Sequence, residues 1–164
     1  MALACTAALA LVGCRAPRID GAGDRTPFVW LLGEWYGTRR HSETGALAPI
    51  HVEVRPILGG RGQTEDLQMG DGTGLAYAST TRVPGSLPTR WIALQVDDRH
   101  VGHVVADGVV TGTTSTWTQR DPSQGSLVVT VIERLGPDAW RRTLHESNDG
   151  GDTWRTLWVD DVHR

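Results

Sequence analysis

At 164 residues, with 39% hydrophobic and 21% charged side chains, the chain has the size and balance of one soluble globular domain able to bury a core. Its net charge of -3 is built from interspersed acids and bases, so no basic face is available and nucleic acid is excluded as an expected partner. All 16 cationic side chains are arginine, and without lysine there is no Schiff-base chemistry, no phosphate-loop lysine and no Ser-Lys nucleophile pair.

In chain order, Ala2 to Val12 is an apolar run too short to span a bilayer and of the length of a signal-peptide core. It ends in Leu11-Val12-Gly13-Cys14, which resembles the bacterial lipobox. That resemblance implies removal of residues 1–13, lipidation of Cys14 and several acyl chains, enough for stable anchoring where one is not. The segment before the run, Met1-Ala2-Leu3-Ala4-Cys5, lacks the usual positive charge, as it would if the start codon lay further upstream. The expected location is the bacterial cell envelope, lipid-anchored on a periplasmic or extracellular face. Residues 15–25, with Pro17, Gly21 and Gly23, read as a tether, and 26–164 as a single domain. Both cysteines precede that domain, so it is expected to hold no disulfide.

Thr26-Pro27-Phe28-Val29-Trp30-Leu31-Leu32 is apolar but too short for a stable helix, so a single packed helical turn is expected. From Gly33 the pattern alternates, with Trp35, Gly37, Arg39 and His41 on one face of a first strand. Ile50, Val52 and Val54 alternate with His51, Glu53 and Arg55 in a second. Further strands are predicted over 61–69, 75–79, 90–96, 100–105, 109–118, 127–134, 139–146 and 152–163, parted by Gly, Pro, Asn and Asp turns. Asp107-Gly108 is the strongest short hairpin signal. No long helical period interrupts these segments. The fold class is therefore all-β: an antiparallel up-and-down meander of about ten strands, which hides its edges by closing into a barrel. A two-sheet sandwich is the alternative.

Three patches carry a family resemblance: Phe28-Val29-Trp30-Leu31-Leu32-Gly33-Glu34-Trp35, Val54-Arg55-Pro56-Ile57-Leu58-Gly59-Gly60-Arg61-Gly62, and Ser147 to Trp154 running on to Asp161-Val162-His163-Arg164. In these the chain resembles the uncharacterised bacterial lipocalin-like (calycin-type) families of the DUF1579 kind. The resemblance implies a calycin barrel in which Gly33 and Trp35 form the Gly-x-Trp closure and an arginine near the C-terminus, Arg155 or Arg164, stacks on Trp35. Ser147, Asp149, Gly151 and Trp154 also fit an Asp-box; a single copy without a propeller repeat reads as a structural turn. The candidate ligand-lining residues are Trp35, Arg55, Glu65, Tyr77 and Trp91, with the apolar faces of the second and fifth strands.

Of the six histidines, His100 and His103 stand three apart, which on an alternating strand sets them on opposite faces where they cannot chelate one ion together, so no metal site is expected. There is no Gly-x-Ser-x-Gly elbow, and Glu65-Asp66, Asp97-Asp98 and Asp160-Asp161 are adjacent, which sends each pair to opposite faces of a strand. The functional expectation is a membrane-anchored, non-enzymatic barrel without a cofactor, binding a small apolar or amphipathic molecule. Two alternatives stand beside it. One is a haem barrel, since Gly33 to Gly37 also resembles the opening of the nitrobindins, with His163 or His145 as the ligand. The other is a filled barrel acting as an interaction module.

Overall fold

The computed structural model describes residues 29–60, 62–81, 90–97, 103–120 and 125–164; within these, several side chains in the fourth to seventh strands are not described. The lipobox with Cys14, the tether, Pro27-Phe28, Arg61, the Pro84-Gly85 stop, Asp98 and His100 lie outside the described residues.

A 3-10 turn, Val29–Leu31, leads into ten strands: β1 (Gly33–His41), β2 (Leu47–Ile57), β3 (Gly62–Met69), β4 (Gly74–Thr81), β5 (Arg90–Asp97), β6 (His103–Thr111), β7 (Thr114–Arg120), β8 (Leu127–Gly136), β9 (Ala139–Ser147) and β10 (Arg155–His163). Each strand pairs antiparallel with its neighbour in sequence, and β10 returns to β1 to close the barrel. Closure abolishes the two edges that an open meander would leave unpaired. The connections around Val29–Leu31, Leu58–Gly60 and residues 137–138 gather at one end, and the turns at 42–46, 70–73 and 148–154 at the other.

Alternation sets which side chains enter. Trp35, Ile50, Val52, Val54, Leu67, Trp117, Ile132, Trp140 and Val162 are buried together with Leu31, while their neighbours in the strands turn outward. The adjacent acids separate as the period requires: Glu65 and Asp160 are buried, whereas Asp66 and Asp161 meet outward-facing Arg55 and Arg141.

The Asp107-Gly108 hairpin does not occur. Both residues lie inside β6, and the chain reverses instead at Gly112 and Thr113. Gly108 is there for a different reason. The ring of Trp117 crosses it, and a Cβ would sit 2.5 Å from a ring carbon. A glycine that signals a turn also serves close approach by an aromatic ring. The last strand likewise begins at Arg155 rather than at residue 152, because the Asp-box retains the intervening residues in the turn.

At the closing seam Gly37 pairs with Val162, and the backbones come too close for any side chain. A Cβ at Gly37 would lie 2.9 Å from Val162 Cα and nearer still to the carbonyl oxygen of Asp161. Gly37→Ala is therefore expected to cost about 2 kcal/mol or more in urea unfolding, as forced overpacking does. Gly136→Ala, where nothing lies within 4 Å of the new Cβ, should stay within about 0.5 kcal/mol of the parent.

Candidate functional site

The site is the barrel interior, organised from its closed end. Trp35 is fully buried and donates its indole N–H to the Leu31 carbonyl at 2.5 Å, which folds the incoming chain under the barrel. Trp140 packs edge-on against it, ring centroids 6.1 Å apart at 77°. Arg164 lies over the remaining face, Cζ 4.2 Å from the Trp35 centroid, and donates from Nη2 to the Leu32 carbonyl at 2.5 Å. Gly33 is set by its backbone, with φ at 116°, a conformation side-chain-bearing residues rarely adopt; a Cβ there would make only ordinary contact with Nη2, at 3.5 Å. Together these groups form an aromatic floor in which the Trp35 indole and the Arg164 guanidinium are bonded to backbone carbonyls, while the buried Trp140 Nε1 has no hydrogen-bond partner among the described residues.

Above the floor is a group of paired charges. Arg39 on β1 grips Asp160 on β10 with two donors, Nε to Oδ1 at 2.8 Å and Nη2 to Oδ2 at 3.0 Å. From β9, Arg142 donates Nε to the same carboxylate at 2.9 Å and reaches Glu65 of β3 through Nη1. Asp160 and Arg142 are almost wholly buried. Two cations and two anions sum to zero, as burial of charge demands, because an ion taken from water is tolerated only when paired and hydrogen-bonded. Indoles complete the surroundings: Arg39 lies 3.9 Å above the Trp158 centroid, and Arg142 is 5.4 Å from Trp140 and 5.6 Å from Trp158.

Burial falls along this inner wall. Trp35, Trp140 and Asp160 are inaccessible, the Arg39 side chain is 12% exposed, and Trp158 and Leu144, further from the floor, are half-buried. The described interior is thus closed at the Trp35 end and reaches solvent toward Trp158.

The sequence-derived candidates distribute unevenly over this geometry. Trp35 and Glu65 face the interior. Arg164 occupies the stacking position on Trp35, and Arg155 does not: it is exposed at the opposite end of β10, bound to Glu146 and Glu43. Arg55 is not a ligand-lining residue either. Val54 points inward, so Arg55 points out, where it pairs with Glu53 and Asp66. Tyr77 pairs in register with Glu65, and Trp91 with Gly108 and Thr81, but their side chains are not among those described. Arg39, Trp140, Arg142, Trp158 and Asp160 form the centre of the site and were not singled out as candidates. Their signal was present in the alternation, which sets Arg39 on the Trp35 face and spaces Trp140 from Arg142, and Trp158 from Asp160, by two.

The two histidines considered as haem ligands stand apart from this interior. His163 is exposed, and His145 shares a hydrogen bond with Thr156 at 3.1 Å on the face opposite Trp140 and Arg142. Among the described residues no group of three His, Cys, Asp or Glu side chains converges as metal ligands do.

At the far end the Asp-box closes the β9–β10 hairpin. Ser147 Oγ donates to Asp149 at 2.7 Å and accepts from the Gly151 N–H at 2.8 Å, and Thr153 donates to Asp149 from its backbone at 2.9 Å and its hydroxyl at 2.5 Å. These donors, first among them the Thr153 hydroxyl, hold the Asp149 carboxyl well below its ordinary range. Trp154 bonds the Gly151 carbonyl and stays largely exposed rather than packing beneath the turn.

No protein-family model matches the chain and no curated protein is significantly similar to it, so the DUF1579 resemblance receives no support there. Among solved structures, a DUF3598-family protein of unknown function from Nostoc punctiforme PCC 73102 superposes with a TM-score of 0.53 at 18% identity, over 82% of this chain and 47% of that one. The chain therefore spans about half the length of that relative, and the likeness concerns the fold. A structure of EF1p2_mFAP2b bound to DFHBI matches at a TM-score of 0.41 and 14% identity, over 82% and 94%.

Removing the central carboxylate leaves two buried guanidinium groups undercompensated. Asp160→Asn is expected to lower unfolding free energy by about 3 kcal/mol or more, whereas Arg155→Ala, which breaks exposed pairs, should cost under about 1 kcal/mol; urea denaturation reads both. A second expectation concerns pH. The depressed Asp149 value means its contribution is complete above the ordinary carboxylate range and is lost as the pH falls toward that value. Asp149→Asn should melt below the parent near neutrality, with the gap narrowing below about pH 4 in thermal scans.

Proposed function

We propose that the protein is a non-enzymatic barrel, anchored to a bacterial envelope membrane through lipid on Cys14, that binds a small apolar or amphipathic molecule inside the barrel. The observation that carries the binding reading is the fall in burial along the inner wall. An aromatic floor is sealed by Leu31, Trp35 and Arg164, and the interior reaches solvent beside the half-buried indole of Trp158. Ligand sites of this kind combine apolar and aromatic walls with a few placed polar groups. The described charges within, Arg39, Glu65, Arg142 and Asp160, neutralise one another, which favours a ligand without net charge where it meets them.

The same neutralisation supports a second reading. Arg39, Arg142, Asp160 and Glu65 satisfy one another across the lumen, as they would in a filled barrel that acts through its surface.

Native mass spectrometry of the full chain purified from its own host decides between them, with the expected result a co-purified small molecule released on unfolding. In parallel, titration with an anilinonaphthalene probe should give saturable enhancement that Trp158→Ala weakens by roughly tenfold, since an aromatic wall contributes on that scale. Absence of both signals from a folded protein selects the filled barrel.

A further inference from the structure

Most of the described connections at the closed end present a large apolar side chain to solvent. Val29 in the leading turn, Leu58 after β2 and Leu135 near the end of β8 are each 56% exposed. Trp30 lies 5.8 Å from the Arg134 guanidinium, which ties the leading turn to the end of β8. Leu58 is the most informative of the three. It is the single non-glycine residue with positive φ among the described residues, at 52°, a conformation that Gly or Asn adopts with less strain than a leucine. Strain retained at an exposed position points to a use for that side chain.

Arg164 is turned over Trp35, and Arg134 is held to the Gly136 carbonyl at 2.9 Å while facing Trp30. These two arginines are occupied within the protein, and the exposed Val29, Leu58 and Leu135 suit shallow insertion of apolar side chains. The covalent chain supplies the occupant. The described chain starts at Val29 on this same end, and 14 residues separate it from Cys14, a reach of about 50 Å at most. A lipid on Cys14 therefore keeps a bilayer within range of this end.

Resting on the proposed anchoring through Cys14, we infer that the closed end is a membrane-docking face. Val29, Leu58 and Leu135 sit in the interfacial layer of a phospholipid bilayer, and the opening beside Trp158 points away into the aqueous phase. Ligand would then exchange with water or a soluble carrier and not directly with the bilayer.

The full chain, made in a bacterial host that processes lipoproteins, is bound to vesicles of phosphatidylethanolamine and phosphatidylglycerol, and hydrogen exchange is compared with that of Leu58→Asn/Leu135→Asn on the same vesicles. Peptides covering 29–33, 57–62 and 134–139 should exchange at least about threefold more slowly in the parent, with 42–47 and 148–154 unchanged. Leu58→Asn alone should melt no lower than the parent, which separates lost docking from lost folding. Intact mass reports acylation of Cys14 independently. An acylated chain with equal exchange in parent and variant overturns the docking face and leaves the anchor standing. An unacylated chain that binds vesicles with the same protection keeps the docking face and removes the anchor. An unacylated chain that does not sediment with vesicles removes both.

Discussion

The carboxylate of Asp160 is the constraint on which the barrel's interior turns. It sits on β10, the strand that closes the sheet, and takes three hydrogen bonds from arginines of the strands on either side, β1 and β9. The backbone ladder alone would close the barrel, but ladders tolerate slippage where one face is not strongly specified. A bidentate grip between Arg39 and Asp160 does not tolerate it, because a shift of one residue between β1 and β10 would set the two groups on opposite faces of the sheet and leave the inward one without its partner. The polar centre therefore specifies the register of the seam, where the Gly37 contact allows no adjustment of spacing.

The floor and the charged layer also depend on each other. Trp140 packs on Trp35 below and faces Arg142 above, so one indole serves both layers. Arginine is suited to this position as lysine is not: its flat, weakly hydrated guanidinium stacks on rings while its edge donates to carboxylates. A chain whose cations are all arginine and whose aromatic residues are chiefly tryptophan can build such a stack repeatedly, and Arg39 on Trp158 and Arg164 on Trp35 are two further instances.

Much of this architecture was legible in the sequence. The count of ten strands, the leading turn and the inward face of β2 follow from a period of two broken at regular intervals by turn residues, a signal that tertiary context reinforces in a half-buried sheet. Asp107-Gly108 misled because a glycine in a strand has two physical uses, and only the position of Trp117 across the ladder reveals which applies. Arg55 misled in another way: polarity was weighed above parity, although Val54 beside it already fixed its face. The charged centre was hidden because its members, Arg39, Glu65, Arg142 and Asp160, are scattered along the chain and are brought together only by register and closure.

The division of labour between the two ends follows from the same arrangement. At the floor the Trp35 indole and the Arg164 guanidinium are each bonded to a backbone carbonyl, and Arg164 also covers the Trp35 ring, so that layer is fixed. Toward Trp158 the wall is less enclosed, and Arg39 spends one of its donors, Nη1, on the sulfur of Met69 at 3.5 Å, a weak acceptor. Affinity for a guest requires groups that lose little on binding and gain more. A half-buried indole beside a donor held only by a thioether meets that requirement, whereas the saturated bonds around Asp160 do not. The interior thus grades from structure to adaptability, and any guest it takes would touch the upper wall and leave the charged layer intact.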